Sequence, residues 1–148
     1  MKTSNAVIAI IGLIALLMAF SGKSEADEIE YRVNIGLFTE HYLHDSDELN
    51  EDNNLIQLTA ERNGRLISGA TFINSHNEEG WSLGYGREKK LTKEFSGGGY
   101  ISVVKGYEGH MKTHYEGLLL APTLFINYRG VTLSIIPAAY VIGYEFKL

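Results

Sequence analysis

Three side chains in this chain could together move a proton or an acyl group: the imidazole of His41, the hydroxyl of Ser75 and the amide of Asn74. A hydroxyl supplies a nucleophile or a proton relay. An imidazole supplies a base near neutral pH, and a polar neighbour can orient either. That set is what hydrolysis or acyl transfer requires. An amide cannot take up a proton as a carboxylate does, but it can hold a ring in place. His41 and Ser75 lie far apart along the chain, so only the fold can bring them together. Polar residues at strand ends are also common as plain solvated loop starts, and that reading stands beside the catalytic one.

The remaining histidines offer less. His76, His110 and His114 fall in polar stretches between apolar patterns. Four-residue spacing of His110 and His114 would make a metal pair only on a helix, and the surrounding composition reads as loop, so no metal site is expected. Gly97, Gly98 and Gly99 have no helix or lysine after them and do not make a phosphate loop. The chain has no cysteine, which excludes disulfides, thiol chemistry and lipid attachment to a thiol. No cofactor is expected. A net charge of −5 with no basic run excludes nucleic acid as a partner.

The elements that must position these residues follow from periodicity. Lys2, an apolar run over residues 6–20 and small residues Ser24 and Ala26 read as a signal peptide over residues 1–26. The run is shorter than the roughly 20 residues of a spanning helix, which favours cleavage over a permanent anchor. The single domain is residues 27–148, about 120 residues, enough for eight tilted strands of roughly 9–11 residues with their turns. A water-filled pore needs about twice as many strands, which excludes a general porin.

Past residue 27 the patterns are strand-like and come in pairs. Ile29, Tyr31, Val33, Ile35 and Leu37 alternate with Glu30, Arg32, Asn34, Gly36 and Phe38. A polar loop over 44–53 follows, then strands over 54–61 and 66–75 joined by Asn63-Gly64, a strong hairpin dipeptide. Trp81, Leu83 and Tyr85 mark a fourth strand, with the charged stretch 87–94 as the next turn. Strands over 95–107 and 118–128 flank a loop at 108–116. Arg129-Gly130 turns the chain into the last two strands, 131–137 and 140–148. Tight turns thus alternate with longer loops, although the connections at 76–79 and 137–139 are short for outer loops.

The last strand is the clearest. Tyr140, Ile142, Tyr144, Phe146 and Leu148 share one face, and Val141, Gly143, Glu145 and Lys147 the other. An exported chain ending on such a strand predicts an all-β fold, an eight-stranded antiparallel up-and-down transmembrane β-barrel in the outer membrane. Tyr31, Trp81, Tyr128, Tyr140 and Tyr144 are candidates for its interface girdles. A water-soluble, lipocalin-like barrel would also alternate, with its apolar face inward; the signal and the terminal strand favour the membrane form. Antiparallel closure predicts that Glu30 meets Lys147 and Arg32 meets Glu145 in the lumen, since buried charges need partners. Pro122 and Pro137, the only prolines, offer no N–H to a ladder. On neighbouring strands they would leave a seam with missing hydrogen bonds, a lateral gate for an acyl chain or simply two strand ends.

The stretch Phe72-Ile73-Asn74-Ser75-His76-Asn77, followed by Gly84-Tyr85-Gly86, resembles the outer-membrane lipid A palmitoyltransferase (PagP) family, with its Phe-x-Asp-Ser-x-Asn motif and then Gly-Tyr-Gly. Leu118 to Pro122, Tyr128-x-Gly130-Val131-Thr132, Ile136-Pro137 and Asn50-Glu51 are similar too, and small phage-encoded relatives resemble the chain further. The resemblance implies that Ser75 is the catalytic serine and His41 the histidine of the first strand, with His44 as its rival. It implies that Gly86 floors an acyl-chain pocket and that Pro122 and Pro137 flank the lateral opening. Asn74 stands where the family has Asp, and residues 27–28 leave no room for the family's leading amphipathic helix. The expected activity is transfer of a fatty acyl chain from phospholipid to a lipid acceptor such as lipid A. The expected partners are membrane phospholipid and lipopolysaccharide, with the protein a monomer. The alternative is a non-catalytic small barrel that alters the cell surface or binds lipid.

Overall fold

The computed structural model describes residues 28–42, 50–107, 117–137 and 139–148. Residues 1–26, read from the sequence as a signal peptide, and His44, His110 and His114 lie outside them. Eight strands close into one antiparallel barrel in sequence order. They are β1 (Glu30–His41), β2 (Ile56–Arg62), β3 (Arg65–Ile73), β4 (Glu79–Lys90), β5 (Phe95–Lys105), β6 (Leu119–Tyr128), β7 (Val131–Ile136) and β8 (Ala139–Lys147). The rim that carries Glu30 and Lys147 is the terminal rim below, and the opposite one the distal rim.

Two hairpins at the terminal rim turn as their dipeptides predict. Asn63 and Gly64 both have positive φ, 53° and 71°, as do Arg129 and Gly130, 51° and 90°. That is the backbone of a type I′ turn, whose twist matches the strands it joins. Each turn is capped by the side chain three residues before its glycine. Gly64 N–H donates to Glu61 at 2.7 Å and Gly130 N–H donates to Asn127 at 2.9 Å.

Alternation decides which face is which. Along β6, Leu120, Pro122, Leu124, Ile126 and Tyr128 point outward, while Ala121, Thr123, Phe125 and Asn127 point inward. Tyr140, Ile142, Tyr144, Phe146 and Leu148 lie on the outer face, as expected. The outer surface between the rims is therefore apolar, with Leu124 still 66% exposed. Among the described residues no helix is long and apolar enough to cross a membrane, which says nothing of strands.

Two readings of the sequence are corrected. Residues 87–90 are not turn but the end of β4, and only 91–94 turn the chain. Alternation tolerates their charges: Glu88 points into the lumen, while Arg87 and Lys89 point out near the rim. The second correction is the β1–β8 register. Arg32 lies opposite Lys147 and Asn34 opposite Glu145, two residues from a direct Glu30–Lys147 pairing. The predicted ion pairs nevertheless form diagonally, Lys147 to Glu30 at 2.7 Å and Arg32 to Glu145 at 3.5 Å.

Those pairs belong to a larger cluster. Arg32 is 4% exposed and also faces Glu30 at 2.5 Å, Glu88 at 2.8 Å and Glu61 at 3.5 Å. Asn127 donates to Glu145 and Ser96 to Glu88. One guanidinium thus ties β2, β4 and β8 to β1 across the lumen. A cleft of about 310 Å³ opens beside it, lined by Arg32, Glu88, Phe95, Asn127 and Lys147 among others.

Candidate functional site: a serine–histidine pair at the distal rim

His41 faces the lumen because of a bulge. Along the first half of β1 odd-numbered residues point outward: Tyr31 and Ile35 are exposed while Arg32 and Asn34 are buried. Strict alternation would put His41 outside with them. The β1–β8 ladder slips between Gly36 and Phe38, so Leu37 has no partner on β8. Leu37 and Phe38 both point outward, and Thr39 and His41 then turn inward. Sequence periodicity had placed Phe38 on the polar face. The bulge reverses it, and with it the imidazole.

Beyond Ile35–Ile56 the β1–β2 ladder stops, and residues 50–55 run as a strap between β1 and β3. Gly36 N–H donates to Leu55 O, Thr39 N–H to Glu51 O, and Ile73 N–H to Asn53 O at 2.7 Å. The Asn53 amide donates to the hydroxyl of Thr39. A side chain at Gly36 would collide with Asn53 and Leu55, so glycine is what lets the strap lie against β1. The strap also reaches the serine: Asn50 N–H donates to Ser75 O at 3.0 Å.

Asn74 and Ser75 follow β3 directly. Asn74 is 2% exposed and every polar atom of its side chain is engaged. Its Oδ1 accepts from His76 N–H at 2.8 Å and Glu78 N–H at 2.9 Å, and its Nδ2 donates to Gly106 O and to the Glu78 carboxylate. The amide therefore shapes the β3–β4 turn and ties it to the end of β5. It orients Ser75 through the backbone, not the imidazole through a bond. Position 74 faces a carbonyl and a carboxylate, which favours an amide over a second carboxylate.

These constraints converge on one contact. His41 Nε2 lies 2.6 Å from Ser75 Oγ, with both residues half-buried. That separation is a short hydrogen bond between an imidazole and a hydroxyl. Tyr107, just past β5, is also within hydrogen-bond reach of Ser75. Burial pushes its phenol up from the ordinary value and the bond to Ser75 pulls the other way, so it is protonated and can donate at neutral pH. Its ring stands 6.3 Å from Phe72, which roofs Gly80. Sequence reading missed Tyr107. Its one signal was a tyrosine placed where an apolar strand pattern stops.

The other expected residues are placed as follows. Gly86 faces the lumen opposite Tyr100, and a side chain there would collide with the Gly99 carbonyl and the Tyr100 ring. Tyr100 also packs on Phe125, 5.1 Å between ring centres, so the lumen at this level is filled by aromatic rings. Gly84, one turn of the alternation nearer the site, would meet only the rotatable hydroxyls of Ser68 and Ser102. Pro122 is outward on β6. β7 pairs with β6 only from Leu124–Ile135 to Tyr128–Val131, which leaves residues 119–123 of β6 without a β7 partner. Thr123 turns its carbonyl toward Gly99 on β5, so position 122 presents its backbone to the unpaired side, where proline has no N–H to leave unsatisfied. Pro137 sits outside the strands, in the turn after β7. Tyr42 donates to the carbonyl of Ile136 beside it at 3.0 Å. His76 points into the turn exterior, its N–H held by Asn74. Among the described residues no group of three His, Asp or Glu could hold a metal ion.

No protein-family model matches this chain, and no curated protein matches it.

Proposed function

We propose that the chain is a PagP-like outer-membrane acyltransferase, moving a fatty acyl chain from a phospholipid to a hydroxyl of a lipid acceptor such as lipid A. The observation that carries this reading is the His41–Ser75 contact of 2.6 Å at the rim of a barrel whose outer face is apolar. His41 takes the Ser75 proton as Ser75 takes that of the acceptor hydroxyl. The acceptor oxygen attacks the ester carbonyl, and the leaving lysolipid oxygen receives the proton from His41. Tyr107 holds Ser75 and can donate toward negative charge as it develops. The unpaired stretch of β6 supports lateral entry, because a break in a ladder is costly in lipid unless something fills it.

A second reading has its own observation. Asn74 is consumed by the turn and supplies no carboxylate behind the imidazole, and Tyr100 fills the lumen over Gly86. Both favour a barrel that presents its rim or binds lipid without turnover.

Mass spectrometry of lipid A from cells expressing the chain separates the two, beside Ser75→Ala and His41→Ala. Transferase chemistry adds an acyl chain that disappears in both variants. Unchanged lipid A around a folded, membrane-embedded barrel supports the second reading.

A further inference from the structure

The outer face switches from apolar to cationic within one rung. Passing down the β3–β4 ladder, the outward pairs are Thr71–Trp81, Gly69–Leu83, Ile67–Tyr85 and then Arg65–Arg87. Arg62 lies directly across from Arg65 on the other side, and Lys89 extends the same face of β4. These four residues are scattered in sequence and gathered by register. Arg65, Arg87 and Lys89 are exposed, and among the described residues none of the three forms an ion pair. Like charges directly opposite each other on a sheet repel. The arrangement is costly alone and favourable around an anion.

The neighbouring surface suits one kind of anion. Tyr85 and Tyr31, one rung nearer the middle, are aromatic, as expected where a bilayer core meets its headgroups. Arg87 is paired with Gly99 and Lys89 with Gly97 on β5, so the surface beside both cations is low and is walled by Leu124 and Ile126 of β6. A side chain at Gly97 would stand 3.4 Å from its nearest neighbour, so packing does not demand glycine there.

We propose that Arg65, Arg87 and Lys89 bind the phosphate of an anionic phospholipid in the leaflet at the terminal rim, with an acyl chain lying along Tyr85 and Leu83. Resting on the membrane reading above, the proposal names a lipid contact on the wall opposite in height to the serine–histidine pair. A juxtamembrane cation contributes about fivefold to anionic lipid affinity, so three sharing one phosphate make a measurable preference.

The full chain is inserted into nanodiscs of phosphatidylcholine and phosphatidylglycerol in equal parts, and co-retained lipids are counted by native mass spectrometry. The retained ratio of phosphatidylglycerol to phosphatidylcholine is expected to be about fivefold the bulk ratio, falling with added salt. The Arg65→Gln/Arg87→Gln variant should lose the enrichment, and Arg65→Lys/Arg87→Lys should keep most of it. Gly97→Leu, which leaves every charge in place, should weaken it. Bulk-ratio recovery by the wild-type chain, or enrichment unchanged in the glutamine variant, overturns the proposal and assigns the cations to something other than lipid. A chain that stays out of pure phosphatidylcholine bilayers overturns the membrane reading itself.

Discussion

The two ends of this lumen are held by opposite means. At the terminal rim a single buried guanidinium gathers four carboxylates from β1, β2, β4 and β8. At the distal rim a bulge, a strap and a fully bonded asparagine put an imidazole and a hydroxyl in contact. The first end is organised by side-chain charge and tolerates small shifts in register. It forms the predicted pairs although the ladder is two residues from the predicted one. The second end depends on backbone count. One residue more or less in β1 decides whether the imidazole meets the serine.

Deleting Glu40, past the bulge, is the sharpest way to break that contrast. Alternation from the inward Thr39 then puts His41 on the outer face, and any activity resting on the dyad should fall by about a hundredfold or more. The Arg32 cluster below the deletion should persist. Activity in membranes, with chemical labelling of His41 from the lipid side, reads the outcome. Full activity would mean that β1 recovers its phase elsewhere.

Arg32→Met attacks the other end. It leaves buried carboxylates without their cation and should cost about 3–5 kcal/mol of stability. Urea unfolding followed through Trp81, the only tryptophan, measures it. A loss under about 1 kcal/mol would show that the carboxylates find water or protons at little cost. Asn74→Asp comes next. It removes two donors and sets a carboxylate against Glu78 and the Gly106 carbonyl, so about 1–3 kcal/mol should be lost at neutral pH. A variant that is both stable and more active would show that the missing carboxylate, not the turn, limits this site. The smallest effect is expected for Lys147→Ala. Its bond to Glu30 is largely exposed, and the same urea titration should move by less than about 1 kcal/mol.

Much of the wall was legible because alternation is a local signal. Tyr140 to Leu148, the β6 pattern and the turns at Asn63-Gly64 and Arg129-Gly130 all stand as read. What escaped was non-local. The bulge at Leu37 carries no glycine or proline of its own and exists only against β8. Residues 87–90 look like turn by charge, yet continue a strand because the lumen holds Arg32 and the outer rim accepts cations. The dyad was anticipated as a pair of residue types, and its 2.6 Å contact rests on a strap and on Asn74 bonds that no spacing rule reveals. Tyr107 was hidden for the same reason: its partner, Ser75, lies on the far side of β4.

The bulge also has a consequence for the order of assembly. The two type I′ hairpins can form early, because their partners are neighbours in sequence. The slip at Leu37 is defined by Phe38 meeting Ile142, a pairing between the first strand and the last. It forms only when the wall closes. Until then nothing turns His41 inward, and Ser75 has no imidazole beside it. A chain still waiting to close its barrel therefore carries no histidine–serine contact, and that contact comes into being in the same event that completes the fold.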